Sequence, residues 1–350
     1  MSKNRNLNNV LLSSIFICSV AVLFAQENKY TRKNKTAPII QYSAEKGCYS
    51  RSIVVKDSIV YTANSNGSMY ATNLSTSKSI NLLANKRFEE MRDIEFCGNY
   101  LYGMQSGTYG LLAQTDGQKF LDYITPSTSI WIGTFLDGMD FHNKVGFIMG
   151  DPKNGYFSLF KSIDGGLKWK ECEGKLEAFE GEAGFAASGT NVQVMNDSTF
   201  LFVSGGKKSR FFKSTDQGKS WKSTSLPYMT SESSGAFSLC MMNDSVGVIV
   251  GGDYSNPDLC LNTCFYTDDG GEFWINAIEQ TRGYRSCVIE ANGVFYACGT
   301  NGIDYSLDFG KTWIPFANGN FFSMCANNSK LYATIPNGSF KIMDLIQVQK

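Results

Sequence analysis

Three arginines and a group of acidic residues are the side chains whose types and spacing could support chemistry in this chain. Arg51, Arg92 and Arg285 each stand at the beginning of a short apolar run. A guanidinium group binds a carboxylate in a bidentate geometry, so three of them at matching positions suit an acidic ligand. Acidic residues stand near the beginning of comparable runs elsewhere in the chain: Asp137, Asp140, Glu180 and Glu182.

Two interpretations of these charges follow from their positions. If they all face one opening, its two sides carry opposite charge and the surface suits a polar or peptidic ligand. Under this interpretation the predicted binding residues are Arg51, Arg92, Arg285, Asp137, Asp140 and Glu182. The alternative is that the charges cap strand ends or pair with one another, which contributes little to binding.

Most familiar catalytic centres are excluded by what the sequence lacks. His142 is the only histidine, which argues against a histidine-based triad or a multi-histidine metal site and favours a structural role for this residue. No G-x-G-x-x-G segment joins a strand to a helix, and no C-x-x-C pair is present. We therefore predict no cofactor, no metal site and no catalytic residue.

The ten cysteines allow disulfides without specifying them. One of them lies in an N-terminal segment that we expect to be removed, which leaves an odd number. Cys260 and Cys264 share one loop and are the best candidates for a bridge. Cys287 and Cys298 lie opposite each other if Asn292-Gly293 forms a two-residue turn. Because several of the others fall in apolar runs, we expect mostly free thiols that behave as small buried hydrophobic residues.

A repeated segment with the spacing S/T-x-D-x-G-x-x-W sets the framework that must position these residues. It occurs at residues 162–169, 214–221, 267–274 and 306–313. In each copy the aspartate can accept backbone N–H groups of a turn, the glycine can supply a positive φ, and the tryptophan can fold over the turn. We assign a structural role to these pairs: Asp164 with Trp169, Asp216 with Trp221, Asp269 with Trp274, and Asp308 with Trp313.

The spacing of the tryptophans predicts the architecture. They are separated by roughly 40 to 50 residues, the period of four-stranded propeller blades. Seven pairs of apolar runs joined by polar turns can be followed between residues 51 and 334, so we predict an all-β, seven-bladed β-propeller at residues 38–350. We assign the run 185–187 to the inner strand of blade 4. Because few residues follow Ile342, we expect residues 38–43 to supply the last strand and close the ring.

The repeated segments resemble those of the Asp-box (BNR-type) propellers. The similarity is closest to the photosystem II stability and assembly factor-like family, whose bacterial relatives are often labelled oxidoreductases, and it includes residues 184–191, 248–254 and 283–288. The resemblance covers nearly all of the chain after the N-terminal segment. It implies a non-enzymatic propeller that binds or assembles a partner.

Two functions remain open at this point. The first is the binding or assembly-factor-like propeller, with the arginines and acidic residues around the mouth where the inner strands begin. The second is a carbohydrate-active enzyme similar to the sialidases, which are also Asp-box propellers with an arginine clamp for a carboxylate. That activity needs two carboxyl groups across the mouth, about 5 to 10 Å apart. The sequence has no Arg-Ile-Pro segment and no identifiable Tyr/Glu nucleophile pair, so we favour the first function.

The N-terminal segment predicts export. Residues 1–25 contain Lys3 and Arg5, an apolar stretch at 11–24 and then Ala25, as in a signal peptide; the alternative is an uncleaved anchor. We expect an exposed leader at 26–37 and a periplasmic or extracellular protein with no membrane span after cleavage. Basic and acidic residues are equal in number, 32 each, which argues against nucleic acid as a partner. We expect a monomer that binds a protein or a polar, acidic ligand.

Overall fold

The regular structure consists of β-strands arranged in seven sheets. The computed structural model describes residues 39–40, 47–84, 86, 88–124 and 133–348, which form thirty strands. Each sheet contains the four antiparallel strands of one propeller blade, so the prediction of an all-β, seven-bladed propeller is confirmed. The search for a helix long and apolar enough to cross a membrane found none in this part of the chain. The predicted signal peptide and leader lie outside the described residues.

Each blade has an inner strand, two middle strands and an outer strand. Blade 1 contains β2 (Ser50–Lys56), β3 (Ile59–Asn64), β4 (Met69–Asn73) and β5 (Lys78–Asn81). Blade 2 contains β6 (Glu90–Cys97), β7 (Tyr100–Ser106), β8 (Leu111–Thr115) and β9 (Phe120–Ile124). Blade 3 contains β10 (Leu136–His142), β11 (Val145–Lys153), β12 (Tyr156–Ser162) and β13 (Lys170–Glu171). Blade 4 contains β15 (Val192–Val194), β16 (Phe200–Val203), β18 (Arg210–Ser214) and β19 (Lys222–Ser225).

The remaining blades follow the same order. Blade 5 contains β20 (Ser234–Met241), β21 (Gly247–Asp253), β22 (Cys264–Thr267) and β23 (Ile275–Asn276), and two short strands, β14 (Glu182–Ala183) and β17 (Gly205–Gly206), extend its inner edge. Blade 6 contains β24 (Cys287–Ala291), β25 (Val294–Gly299), β26 (Gly302–Ser306) and β27 (Ile314–Ala317). Blade 7 contains β28 (Met324–Ala326), β29 (Lys330–Ile335), β30 (Ser339–Asp344) and β1 (Ile39–Ile40).

The blades are held together by apolar packing between their faces. Six of the seven residues of β7 and of β21 are buried, because neighbouring blades cover both faces of a middle strand. Phe147 of blade 3 stacks on Phe200 of blade 4, with ring centroids 4.9 Å apart. Sequence alternation is therefore weak in the middle strands and clearer at the exposed outer strands, such as β5.

The last blade receives its fourth strand from the N-terminal side of the chain. Ile39 lies opposite Lys341 and Ile40 lies opposite Phe340 in an antiparallel pair. The other residues of the predicted closing strand, 38 and 41–43, lie outside the described residues. The contribution of this segment to ring closure stays a prediction.

The repeated segments form the turns between the third and outer strands of blades 3 to 6. In the second copy, Asp216 accepts hydrogen bonds from the backbone N–H groups of Lys219 at 3.0 Å and Ser220 at 2.9 Å. The Ser214 hydroxyl donates to the same carboxylate at 2.8 Å and accepts from the Gly218 N–H at 2.8 Å. The other three copies have the same hydroxyl, carboxylate and glycine contacts.

The tryptophans of these turns also contact the preceding blade. Trp313 of blade 6 donates its indole N–H to the sulfur of Cys264 in blade 5, at 3.0 Å. Trp274 of blade 5 packs edge-on against Phe211 of blade 4, with ring centroids 5.0 Å apart. The repeated segments therefore link adjacent blades as well as ordering their own turns.

Candidate functional site

The mouth of the propeller is the face at which the inner strands begin. Because strands in a blade are antiparallel, the start of an inner strand lies beside the end of the second strand, as Ser50 lies opposite Asn64. The repeated turns follow the far end of the third strand and therefore lie on the opposite face. The N–H of Gly165 in the first of these turns donates to the carbonyl of Lys144, in the turn that ends the inner strand.

Residues 184–190, which we call the plug, cross the mouth. The assignment of residues 185–187 to the inner strand of blade 4 is wrong, because that strand is β15 (Val192–Val194). The run is rich in alanine, serine and glycine, whose small side chains fit where the seven blades converge. Gly189 has a φ of +77°, and a Cβ at this position would lie 2.0 Å from a carboxylate oxygen of Asp93.

Five other blades hold the plug in place. Their hydrogen bonds to it are Arg92 to the Ala186 carbonyl (3.0 Å), the Gly184 N–H to Asp151 (3.0 Å), the Leu239 N–H to the Thr190 carbonyl (2.9 Å), the Ser188 hydroxyl to the Ser286 carbonyl (2.7 Å), and the Ser323 hydroxyl to the Ser188 carbonyl (3.1 Å). A segment bonded to blades 2, 3, 5, 6 and 7 at once lies across the central channel. The plug therefore covers the channel at the mouth.

An aromatic cluster lies over one side of the plug. Phe185 of the plug stacks on Phe237, with ring centroids 4.1 Å apart and planes inclined by 2°. Tyr284 meets Phe237 edge-on at 4.8 Å, and Tyr254 meets it edge-on at 6.1 Å. Tyr254 is 52% exposed, so the cluster presents an aromatic edge to solvent at the mouth.

Arg285 is fully buried, so the prediction that it binds a ligand is wrong. Its guanidinium forms an ion pair with Asp304 and donates to the Tyr284 carbonyl at 2.8 Å and to Asn301 at 2.7 Å. The Nε of Arg282 donates to the other oxygen of the same carboxylate at 2.6 Å. A charge at this buried position is tolerated because it is paired and hydrogen-bonded.

Glu182 is also enclosed, and its predicted ligand-binding role is wrong. Arg210 donates to its two carboxylate oxygens at 2.8 and 2.7 Å, and the side chain of Glu182 has no exposed surface. Ser204 and the Phe179 N–H donate to the same carboxylate at 2.5 and 3.0 Å. Because four donors occupy its oxygens, this carboxylate holds in place the segment that precedes the plug. The neighbouring Glu180 is exposed.

Arg92 and Asp137 meet beneath the plug and not on two sides of an open mouth. Arg92 pairs with Glu90 at 2.8 Å, and its side chain is 17% exposed. Asp137 is 1% exposed, and one of its carboxylate oxygens has no hydrogen-bond partner in the described part of the chain. Burial raises the pKa of Asp137 well above its usual value, the Asp151 charge raises it further, and Arg92 lowers it. Asp137 is an enclosed acid, so its predicted contact with a ligand is wrong.

Asp140 lies with Asp93 and Glu95 on the inner strands below the plug, and its placement at the mouth is also wrong. Its two oxygens accept from the N–H groups of Phe141 at 2.7 Å and Val194 at 2.6 Å. Burial raises the pKa of Asp140 to about 7 and that of Asp93 to about 6. Burial, followed by the charges of Asp140 and Asp93, raises the pKa of Glu95 well above its usual value.

Arg51 is the predicted arginine that remains available at the mouth. It makes no ion pair with a described residue, and its Nε has no hydrogen-bond partner there. Its guanidinium lies 4.6 Å from the ring centroid of Tyr49, which packs against Phe322 at 5.7 Å. Burial raises the pKa of Tyr284, and the nearby charge of Arg51 lowers it. We call these four residues, Tyr49, Arg51, Tyr284 and Phe322, the Arg51 site.

Sequence reasoning missed the plug and the aromatic residues of the mouth. Tyr49, Phe135, Tyr284 and Phe322 each stand just before an inner strand. An aromatic residue one or two positions before Arg51 and before Arg285 is the signal that could have found the site. The sequence indicates the plug only weakly, because its run of small residues is equally typical of the start of a strand.

The remaining predictions concern the histidine, the cysteines and metal binding. His142 lies at the far end of β10, away from the mouth, with Asp197 at 3.9 Å. The nine described cysteines are free thiols, and the predicted bridge between exposed Cys260 and buried Cys264 is wrong because the Cys264 sulfur accepts a hydrogen bond from Trp313 inside the core. Within the described ranges, no three His, Cys, Asp or Glu side chains converge as a metal site.

Comparisons with known proteins support the fold. No protein-family profile and no curated protein sequence matches this chain. YCF48 from Cyanidioschyzon merolae is similar in structure, with a TM-score of 0.58 and 12% identity over 89% of this chain and 99% of that chain. The WD40 β-propeller domain of Doa1 has a TM-score of 0.62 and 11% identity over 88% of this chain and 96% of that chain.

A glycoside hydrolase is also similar in structure. The GH74 enzyme of Niastella koreensis has a TM-score of 0.62 and 14% identity over 90% of this chain but 55% of that chain. This chain therefore spans about half the length of that enzyme. At these identities the similarities establish the fold alone. The fold and the site define the chain as a seven-bladed β-propeller with a plugged channel and an arginine beside aromatic rings at its mouth.

Proposed function

We propose that this protein is an exported, non-enzymatic propeller that binds a protein partner at the Arg51 site, as the assembly-factor resemblance implies. One observation carries the proposal. Arg51 lies at the mouth without an ion-pair partner among the described residues, whereas Arg282 and Arg285 share Asp304 and Arg210 pairs with Glu182. A guanidinium held against a tyrosine ring, with no carboxylate partner among the described residues, can bind an anion.

The surroundings of Arg51 favour a segment that carries both a carboxylate and an apolar side chain. Tyr49 and Phe322 are half-buried, and Tyr254 is exposed on the neighbouring aromatic cluster. Arginine, tyrosine and phenylalanine are enriched in protein interfaces, where aromatic residues fill the centre and arginine fixes the orientation. We infer that the partner presents an acidic residue close to an apolar one.

A carbohydrate-active enzyme is the second candidate function. The observation that favours it is the structural similarity to a GH74 enzyme. Glycoside hydrolysis needs two carboxyl groups that reach a substrate from opposite sides. Asp137 and Asp151 are neighbours near the mouth, and burial raises the pKa of each. Asp137 lies beneath the plug, however, and the Gly184 N–H of the plug occupies one oxygen of Asp151. This arrangement favours binding over hydrolysis.

The test measures peptide binding to the mature protein by fluorescence anisotropy. The probe is a labelled peptide that alternates glutamate and phenylalanine, and the reference probe has glutamine in place of glutamate. We expect the acidic peptide to bind more tightly, with affinity that falls as salt increases. Arg51→Ala should weaken binding by about tenfold or more, since a hydrogen bond to a charged group contributes about 1.5 to 3 kcal/mol, and should flatten the salt dependence.

Lys168→Ala is the matched control, because it removes an exposed positive charge from the opposite face. It should leave the affinity unchanged. Equal binding of the two peptides, or an Arg51→Ala variant with the original affinity and salt response, would overturn the proposal. Release of reducing sugar from a polysaccharide, or of free sialic acid from a sialoside, would favour the second candidate.

A further inference from the structure

Cys287 and Cys298 form a cross-strand pair in blade 6. They are direct partners in the antiparallel register of β24 and β25. The two-residue turn that sets this register is Asn292-Gly293, with φ values of 55° and 83°. Direct partners on antiparallel strands have Cα atoms about 4.5 to 5.5 Å apart. That separation lies within the range of about 4.4 to 6.8 Å found in disulfides.

The two thiols are enclosed and in contact with each other. Both residues have 0% exposed surface, and each thiol shifts the pKa of the other. The Cys287 thiol also lies 4.0 Å from the Met324 carbonyl, to which it donates. Burial alone would raise the pKa of Cys287, but the hydrogen bonds from Cys298, Thr190 and Ser188 outweigh it and lower this pKa. Burial and the hydrogen bond to Cys287 raise the pKa of Cys298 well above its usual value. These shifts belong to the folded blade, in which the two sulfurs are neighbours.

The plug lies beside this pair. Ser188 and Thr190 of the plug are hydrogen-bonded to each other at 2.6 Å, and both hydroxyls interact with the Cys287 sulfur. Ser188 also donates to the carbonyl of Ser286, the residue before Cys287. The cysteine pair is thus at the point where blade 6 supports the plug.

We propose that Cys287 and Cys298 are a dithiol site that is oxidised to an intrachain disulfide by a disulfide-containing oxidant during folding. One of the two cysteines, as its thiolate, attacks one sulfur of the oxidant and releases a first thiolate. The other cysteine loses its proton and attacks the protein sulfur of the mixed disulfide, which releases the second thiolate. The two released thiolates take up the two protons that the cysteines lose. Two protein thiols are oxidised, and one oxidant disulfide is reduced to two thiols. Because both sulfurs are buried in the folded chain, this exchange takes place before blade 6 packs or when its hairpin opens.

No other pair among the described cysteines has this geometry. Cys260 is exposed on a loop, and the sulfur of Cys264 accepts the indole N–H of Trp313. Cys240 and Cys325 lie on the inner strands of different blades. The inference is independent of the Arg51 site and depends on the proposed export only for the natural oxidant.

The test follows the thiols by mass spectrometry. The chain is refolded from denaturant in a mixture of oxidised and reduced glutathione, or in dithiothreitol, and is then denatured and alkylated. Trypsin releases residues 286–311 as one peptide containing both cysteines, because cleavage follows Arg285 and Lys311. We expect this peptide to be unalkylated and lighter by two hydrogen atoms after glutathione refolding, and doubly alkylated after dithiothreitol. Folding in both buffers is checked by tryptophan fluorescence.

Two further measurements keep the test decisive. The full-length chain is also secreted into the periplasm of a bacterial host and alkylated directly in the extract, which avoids refolding. Cys298→Ser should leave Cys287 as an alkylated thiol or a glutathione adduct, and should abolish the higher melting temperature that we expect for the oxidised protein. Double alkylation of residues 286–311 in correctly folded protein from both the glutathione and the periplasmic preparations would overturn the proposal.

Discussion

Arg285 and Asp304 form an ion pair in the interior of blade 6, with 0% and 1% of their side-chain surfaces exposed. The pair connects the start of the inner strand to the third strand of the same blade. Arg282 binds the second oxygen of Asp304 and also donates to the Ala317 carbonyl at 2.9 Å. One carboxylate therefore joins two arginines, and these join the inner, third and outer parts of the blade.

Asp304→Asn should destabilise the protein strongly. The substitution leaves two guanidinium groups facing a neutral side chain, and breaking a buried ion pair costs about 3 to 5 kcal/mol. Urea unfolding followed by tryptophan fluorescence measures the loss. The control is Asp344→Asn, which breaks the exposed pair with Lys330 and should cost about 0 to 1 kcal/mol. Similar losses in the two variants would show that the buried ion pair contributes no more to the free energy of unfolding than the exposed one.

The fold could be predicted because the repeated segment that indicates it is formed by residues close together in the sequence. Asp216, Gly218 and Trp221 lie within one turn, so their spacing in the sequence is also their spacing in the structure. The number of blades followed from counting apolar runs between such turns. Packing between blades strengthens the signal, since it fills the middle strands with apolar residues on both faces.

The site could be predicted only in part, because it depends on contacts between distant residues. The run that contains Arg285 marks the start of an inner strand, but its partner Asp304 lies on another strand and is not identifiable from spacing. The same is true of Glu182 and Arg210. Arg51 differs in that no described carboxylate meets it, which is a property of the assembled ring and not of its local sequence.

Asp216→Ala tests the structural role of the repeated turns. The variant loses an acceptor for the N–H groups of Lys219 and Ser220 and for the Ser220 hydroxyl at 2.6 Å. Because these donors are exposed and water can replace the carboxylate, the loss should be about 0.5 to 1.5 kcal/mol in unfolding free energy. Peptide binding at the mouth should not change. Asp268→Ala, at an exposed position of the next repeated turn, should be neutral, and a loss of binding by Asp216→Ala at unchanged stability would contradict the structural role.

The acids below the plug should make stability depend on pH. The folded-state pKa values of Asp93 and Asp140 are raised to about 6 and about 7, and the pKa of Glu95 is raised well above its usual value. A raised carboxyl pKa means that the folded state binds more protons than the unfolded state. Stability from these groups is therefore present below their ordinary pKa values and is lost as pH rises through about 6 to 7. Melting temperatures between pH 4 and pH 8 measure this loss.

Glu95→Gln isolates this effect. The charges of Asp93 and Asp140 raise the pKa of Glu95, whereas burial is what raises theirs. A neutral amide at position 95 should therefore leave the pKa values of Asp93 and Asp140 raised, remove the loss of stability that comes from ionising Glu95 and reduce the pH dependence by that amount. Glu180→Gln, at an exposed position, is the control and should leave the profile unchanged. A Glu95→Gln profile that coincides with the wild-type profile would show that the ionisation of Glu95 does not contribute to the pH dependence.

Gly189→Ala tests whether the plug needs its close contact with Asp93. The residue has a φ of +77°, and a Cβ would lie 2.0 Å from the Asp93 carboxylate, so either the plug or the acid must move. Gly293→Ala is a matched control, because Gly293 has a φ of +83° and nothing within 4 Å of the added carbon. The control should lose about 1 to 2 kcal/mol from its left-handed backbone alone. Gly189→Ala should lose more in urea unfolding and should shift the pH dependence that Asp93 contributes. Equal losses in the two variants would show that the plug can move away from Asp93 without a further loss of unfolding free energy. The plug would then not be fixed against the inner strands.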